Sequence, residues 1–261
     1  MTYRVGTSAK HGDVYVKGPV ELRCGDYREV LGDVEPDAVI CDPPYSERVE
    51  AGVRSGSSMK NQRNQIGMGY EPIDPAWCEA FADRWSRVPG WVVVYSDHIG
   101  ARWHEEALAR TRYTFAPMPL IKRGAAPRMC ADGPSPWCEW IVVARPRSAS
   151  FVGAWPGLPG FYEMQTVRHS HDHAGVRGAK SPAHMRQVVR DYSRPGDLVC
   201  DPTAGGATTL IAAALEGRRA IGAELDPETF AKACARIERT ALTAPLPLCE
   251  PVRMTQEGLD L

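Results

Sequence analysis

The chain has no Cys-x-x-Cys pair, no internal repeat, no signal-like start and almost no net charge, formally −1 over 261 residues. Its eight cysteines are scattered singly. Cys41, Cys200 and Cys234 lie in apolar or helical patterns and read as small core residues. With no signal-like segment, that usage predicts a reducing, cytoplasmic setting. The longest apolar runs, such as Trp91–Tyr95 and Leu210–Leu215, are too short to cross a membrane. The charge balance removes any whole-chain electrostatic sign of a polyanion partner.

Hydrophobic residues make up 43% and charged residues 24% of the chain, the proportions of an ordinary globular protein. The length suits one large domain with insertions, or a core plus a small lobe. Charge is unevenly distributed. Residues 99–190 hold thirteen basic and six acidic side chains, a net +7 that leaves −8 for the rest. A basic middle between acidic flanks suits a protein with one polyanion-facing side, or an uneven surface with no such partner.

Pattern and punctuation predict alternating strands and helices. Strands are expected at 14–16, 21–24, 38–41, 91–95, 114–122, 139–144, 198–200 and 220–223. Helices are expected at 27–31, 75–86, 102–110, 181–192, 208–215 and 227–240. Asp74 before Pro75 and Asp226 before Pro227 read as N-caps with proline in the first turn. Residues 46–72 have no period and leave directly from a candidate site, which predicts a mobile lid or a substrate-contacting loop. Residues 145–177, dense in Gly and Pro, read as an irregular insertion, and 241–261 as an extended tail.

Two local patterns carry chemistry. Asp42-Pro43-Pro44-Tyr45 closes the buried strand at 38–41. An acid, two prolines and an aromatic there form a stiff, polar lip where open α/β sheets bind ligands. It offers acceptors for the two N–H groups of an exocyclic amine and a flat face for the attached ring. The second pattern runs from the strand at 198–200 through Asp201-Pro202-Thr203-Ala204-Gly205-Gly206-Ala207-Thr208 into a helix, then a strand ending at Glu224. Glycines let backbone approach a ligand, and an acid at the end of the second strand can take ribose hydroxyls. The loop is not Gly-x-Gly-x-x-Gly and no P-loop lysine follows. A cofactor with an uncharged ribose is therefore favoured over a phosphate-bearing dinucleotide.

Together, Asp42-Pro43-Pro44-Tyr45, Asp201-Pro202-x-x-Gly205-x-x-Thr208-Thr209 and Glu224 resemble the beta group of DNA amino-methyltransferases, in which the catalytic tetrad precedes the cofactor loop. Gly25-Asp26 and Lys180-Ser181-Pro182 also fit that group's pattern. The resemblance covers residues 20–46 and 178–240 well, and 90–145 loosely. It implies a doubly wound, mostly parallel seven-stranded α/β sheet with an antiparallel edge hairpin and a small irregular insertion. The catalytic domain would comprise 1–144 and 178–240, with a target-recognition insertion at 145–177. S-adenosylmethionine (AdoMet) would be the cofactor and double-stranded DNA the substrate. Asp42, Pro43, Pro44 and Tyr45 would be catalytic. Asp26, Lys180, Ser181, Asp201, Thr203, Gly205, Thr208 and Glu224 would bind the cofactor, Lys180 and Ser181 at its methionine carboxylate. An Asp at the head of the tetrad favours adenine N6 as the target, with cytosine N4 the alternative.

Thr203 stands where the family has an aromatic, and Ala207 where it has a glycine. These departures leave room for a catalytically impaired binding protein. Arg123, Arg128, Arg168, His169 and Arg177 are candidate DNA contacts. The run His169-Ser170-His171-Asp172-His173 lacks a matching ligand pair and is not expected to hold metal. Trp155 is expected to pack over a turn rather than wedge between bases. The short recognition segment implies either a footprint of few base pairs or a homodimer.

Overall fold

The computed structural model describes residues 2–47, 71–124, 134, 137–165 and 180–242. Among these, one sheet holds ten strands: β1 (Val14–Lys17), β2 (Val20–Cys24), β3 (Ala38–Cys41), β4 (Val92–Ser96), β5 (Tyr113–Thr114), β6 (Met118–Arg123), β7 (Cys138–Arg145), β8 (Tyr162–Gln165), β9 (Leu198–Asp201) and β10 (Arg219–Glu224). Their order is β1-β2-β10-β9-β3-β4-β7-β6-β8, with β5 also on β7. The central five, β2-β10-β9-β3-β4, are mutually parallel.

Among the described residues, these helices cover the sheet: α1 (Tyr27–Val30), α2 (Pro75–Arg84), α3 (Gly100–Ala109), α4 (Pro182–Tyr192), α5 (Thr208–Leu215) and α6 (Pro227–Arg239). Residues of α1 to α3 pack one face with Val39, Val92 and Val94. Residues of α4 to α6 pack the other with Ile40, Val93 and Val199. Every residue of β3 and β4 is therefore buried. Parallel strands covered on both faces read as continuous apolar runs for this reason. Both predicted caps form, Asp74 accepting from the Trp77 amide and Asp226 from that of Thr229.

Three expectations change. The sheet has ten strands among the described residues, not seven. The strand expected at 114–122 divides into β5 and β6 around Phe115-Ala116-Pro117. Thr114 pairs Ala144 but Met118 pairs Ile141, so this strand carries one extra residue, a bulge at a proline that has no N–H to donate. Finally, β6 and β7 do not form the edge. Residues 162–165, expected to be irregular, add β8 in parallel outside β6. Trp155 packs on Trp91 and Phe151 at the amino end of β4, away from the predicted site.

Gly222 sets the spacing of the two strands nearest the glycine loop. It lies level with Asp201, and a Cβ there would stand 2.7 Å from the Asp201 carbonyl oxygen and 3.2 Å from the Ala204 Cβ. Gly222→Ala should therefore cost about 1–3 kcal/mol as an overpacked core position. Thermal unfolding reads this as a midpoint lowered by several degrees, and an unchanged melt would contradict the packing account.

Candidate active site

Parallel strands all end at the same edge, and here each central strand delivers an acid to it. Asp26 follows β2, Glu224 ends β10, Asp201 ends β9, Asp42 follows β3 and Asp97 follows β4. The β3–β9 pairing brings the tetrad beside the glycine loop although they lie far apart in the chain. A cavity of about 1060 Å³ opens there, lined by every predicted catalytic and cofactor residue except Ser181. Ordinary small-molecule pockets hold about 300–1,000 Å³, so there is room for a cofactor and a flat base together.

The turns that shape this edge need unusual backbone. Gly25 has φ +145° and donates to the Glu224 carbonyl at 2.8 Å. Gly205 has φ +49° and Ala207 φ +60°. Arg236 of α6, buried under the glycine loop, donates to the Gly206 carbonyl and to Thr208 Oγ1, both at 2.7 Å. Asp97 accepts from the amides of Ile99 and Gly100, at 2.7 and 2.9 Å, and from the Ser46 amide at 2.6 Å. It thereby fixes the residue that follows the tetrad. Burial would raise its carboxyl, but these donors outweigh burial and lower it.

The tetrad's acid is tied into an ionic chain. Lys180 Nζ donates to Asp42 Oδ2, and to the Tyr45 hydroxyl at 3.2 Å. The Tyr45 hydroxyl donates to Asp42 Oδ1 at 3.2 Å. Lys180 also lies 3.2 Å from Glu139, which accepts from Lys122 at 2.7 Å. Burial raises the Asp42 carboxyl and Lys180 pulls it back only in part. Glu139 goes the other way. Its burial is outweighed by the two ammoniums, which hold it down to about 2. Both carboxylates favour the charged Lys180, and together they raise it despite its burial.

The glycine loop has its own electrostatics. Asp201 accepts from the Thr203 amide at 3.1 Å. Burial drives its carboxyl up to about 7, with Thr209 and the Thr203 amide opposing and Asp42 and Glu224 adding to the rise. Glu224 accepts from the Asp226 amide at 2.8 Å. Thr203 Oγ1 is buried with no partner among the described residues and belongs to a residue that lines the cavity, so a ligand group can satisfy it. Asp26 caps α1, accepts from the Arg28 amide at 2.9 Å and pairs with the Arg28 side chain. That hydrogen bond is the main reason its carboxyl is lowered.

Not every predicted residue converges. Ser181 takes the N-cap position of α4 without a side-chain cap bond. Arg123 lies at the end of β6 and makes a two-point pair with Glu163 of β8, at 2.7 and 2.8 Å. Arg128, Arg168, His169, Arg177 and the histidine run at 169–173 lie outside the described residues, as do most of 46–72 and the tail beyond Leu242. Glu139, Lys122, Asp97 and Arg236 were not anticipated. The first two carried a signal: single charges at the ends of otherwise apolar strands.

Asp201 should leave a mark on stability. The folded state holds its proton up to about pH 7, whereas an unfolded Asp releases it near 3.9. Its contribution is therefore full below the unfolded value and is lost as pH rises through about 7. Denaturant unfolding of wild type and Asp201→Asn between pH 5 and 8 should show the variant gaining relative stability as pH rises. A constant gap across that range would remove the assignment.

The chain is similar to known DNA methyltransferases. The N6/N4 methyltransferase family model, described as DNA methylase, matches residues 79–234, more than half of the chain. The type II methyltransferase M.MthZI of Methanothermobacter thermautotrophicus is 38% identical over 81 residues, 31% of this chain and 22% of that protein. The DNA adenine methyltransferase YhdJ of Escherichia coli K12 is 31% identical over 83 residues, 31% of this chain and 28% of that protein. These matches span under a third of each relative. Among solved structures, the M1.HpyAVI–SAM complex superposes with a TM-score of 0.62 at 20% identity, covering 84% of this chain and 98% of that one. The cytosine-N4-specific PvuII DNA methyltransferase gives 0.61 at 15% identity, covering 92% and 93%. The fold is thus the mixed α/β methyltransferase fold, and the chain belongs to the N6/N4 DNA methylase family.

Proposed function

We propose that this chain transfers a methyl group from AdoMet to the N6 amino group of adenine in double-stranded DNA. One observation carries the reading: Asp42-Pro43-Pro44-Tyr45 and the Gly205 loop open side by side into a single cavity. The family match supports DNA amino-methylation, and Asp at the head of the tetrad supports adenine as the base.

The residues present fit this cofactor. Buried acids at the ends of β9 and β10 suit a cationic amino acid and ribose hydroxyls, and the unpartnered Thr203 hydroxyl supplies one more polar contact. AdoMet supplies an electrophilic methyl on a sulfonium, with a neutral thioether as leaving group. Asp42 and the Pro43 carbonyl accept the two N–H bonds of the target amine. That rotates its lone pair out of ring conjugation and aims it at the methyl, so the catalysis is mainly positioning. Tyr45 offers a ring on which an extruded base can stack. Once the C–N bond forms, the nitrogen must shed a proton, and burial makes Asp42 a better proton acceptor than an ordinary aspartate.

Asp42→Ala should lower turnover by a factor on the order of a thousand, as loss of a preorganised polar group does, while AdoMet binding measured by calorimetry stays near wild type. Retained methylation in that variant would overturn the assignment. Mass spectrometry of nucleosides from treated duplex DNA should show N6-methyladenine. N4-methylcytosine would reassign the base, and no methylated nucleoside would refute the activity.

A further inference from the structure

Lys180 is only 5% exposed, and its ammonium is divided between carboxylates from two parts of the sheet. Asp42 follows β3. Glu139 is the second residue of β7, which runs antiparallel to β4 and so begins at the carboxyl edge. Glu139 is itself held by Lys122 of β6 at 2.7 Å. Asp42, Lys180, Glu139 and Lys122 thus alternate in sign and sum to zero charge.

The other groups near Lys180 cannot take the place of Glu139. The Tyr45 hydroxyl, 3.2 Å away, is pushed up by burial and stays neutral. The Tyr95 ring centroid lies 5.0 Å away and offers only a π face. Its hydroxyl bonds His184 of α4 at 2.7 Å, and burial, with Lys180 adding to it, holds that imidazole down to about 4 and uncharged. Asp201, across on β9, has Asp42 and Glu224 as its charged neighbours.

We propose that Glu139, braced by Lys122, is a positioning residue for the methyl transfer: it takes a share of the Lys180 ammonium and so keeps an Asp42 oxygen oriented and available to the target amine. This rests on the function proposed above. A carboxylate offers about four lone-pair sites, and Asp42 already gives one oxygen to Lys180 and turns the other toward Tyr45. A long lysine chain with one anionic partner follows that partner. With a second carboxylate fixed on a strand, it is tethered from both sides, and Asp42 is fixed with it.

The test uses E139Q and the paired variant K122M/E139Q in the full chain. The pair is needed because E139Q alone leaves the buried Lys180 and half-buried Lys122 ammoniums with one carboxylate between them, which threatens folding. In either folded variant kcat on duplex DNA should fall about tenfold, with the AdoMet dissociation constant within about twofold of wild type, the split that marks an interaction made in the transition state. The acid limb of kcat against pH should move to lower pH, because the Glu139 charge opposes ionisation of Asp42. An unchanged kcat in folded K122M/E139Q, or an unmoved acid limb, overturns the proposal. Carbon-13 NMR titration of the Asp42 carboxyl reads the same shift without turnover. If the wild-type chain methylates no DNA, the functional reading fails on its own, and an Asp42 titration unmoved by E139Q still overturns the positioning role.

Discussion

Parallel pairing of β3 with β9, Ala38 beside Val199 and Val39 beside Cys200, is the contact on which the site depends. It is clamped at its start by Asp37, whose amide donates to the Leu198 carbonyl at 2.9 Å and whose carboxylate accepts from the Leu198 amide at 2.7 Å. Both strands are buried on two faces, so a slip of one residue would exchange the side chains meeting the two helical layers. Held in register, the strands release their chains at the same edge. One continues into Asp42, the other into the glycine loop. A tetrad and a loop separated by most of the chain become two walls of one cavity.

That edge concentrates negative charge in a poorly solvated place. Five acids end five neighbouring strands, and most are answered locally. Asp97 is held as a carboxylate by backbone amides, Glu224 accepts from the Asp226 amide, Asp26 pairs with Arg28, and Asp42, together with Glu139, is met by two lysines. Asp201 is the exception. Its donors among the described residues are a hydroxyl and an amide from the loop and first turn of α5, and it faces other acids, so its proton is held to about pH 7. Interactions at low dielectric are strong in both directions. A cationic ligand beside Asp201 would relieve the repulsion from Asp42 and Glu224. The proposed cofactor brings two positive groups, its ammonium and its sulfonium, and charge complementarity therefore falls where the folded chain is least satisfied.

Legibility from the sequence followed range. The tetrad, the glycine loop, Glu224 and both proline-bracketed helix starts are local patterns, and each lies where its pattern implies. Helices α2 to α6 begin and end within two residues of expectation. What escaped is set by long-range pairing. Glu139 and Lys122 meet Lys180 only because β7 runs antiparallel between β4 and β6, and no local motif records that. The strand at Tyr162–Gln165 is four residues long among glycines and prolines, and its partner β6 lies about forty residues back. The bulge before β6 is legible afterwards from Pro117, but a proline alone does not say whether a strand ends or bends.

The two departures from the family pattern in the cofactor loop have opposite physical characters. Ala207 adopts the left-handed backbone that a glycine would take freely, at a cost of roughly 1–2 kcal/mol for an L residue. Its methyl is fully buried in the core beneath α5, which returns about 0.8 kcal/mol. Its amide also donates to the Ala204 carbonyl at 2.7 Å and its carbonyl receives the Ile211 amide at 3.0 Å, so the first turn of the helix holds the strained residue in place. The loop therefore keeps the shape a glycine would give, with part of the strain offset by packing. Thr203 does change what a ligand meets. An aromatic at that place would turn an apolar face to the cavity, whereas a buried hydroxyl without a partner among the described residues rewards a ligand that brings a hydrogen bond and penalises one that does not. Of the two substitutions, Thr203 bears on affinity and orientation in the site, and Ala207 bears on the stability of the turn that builds it.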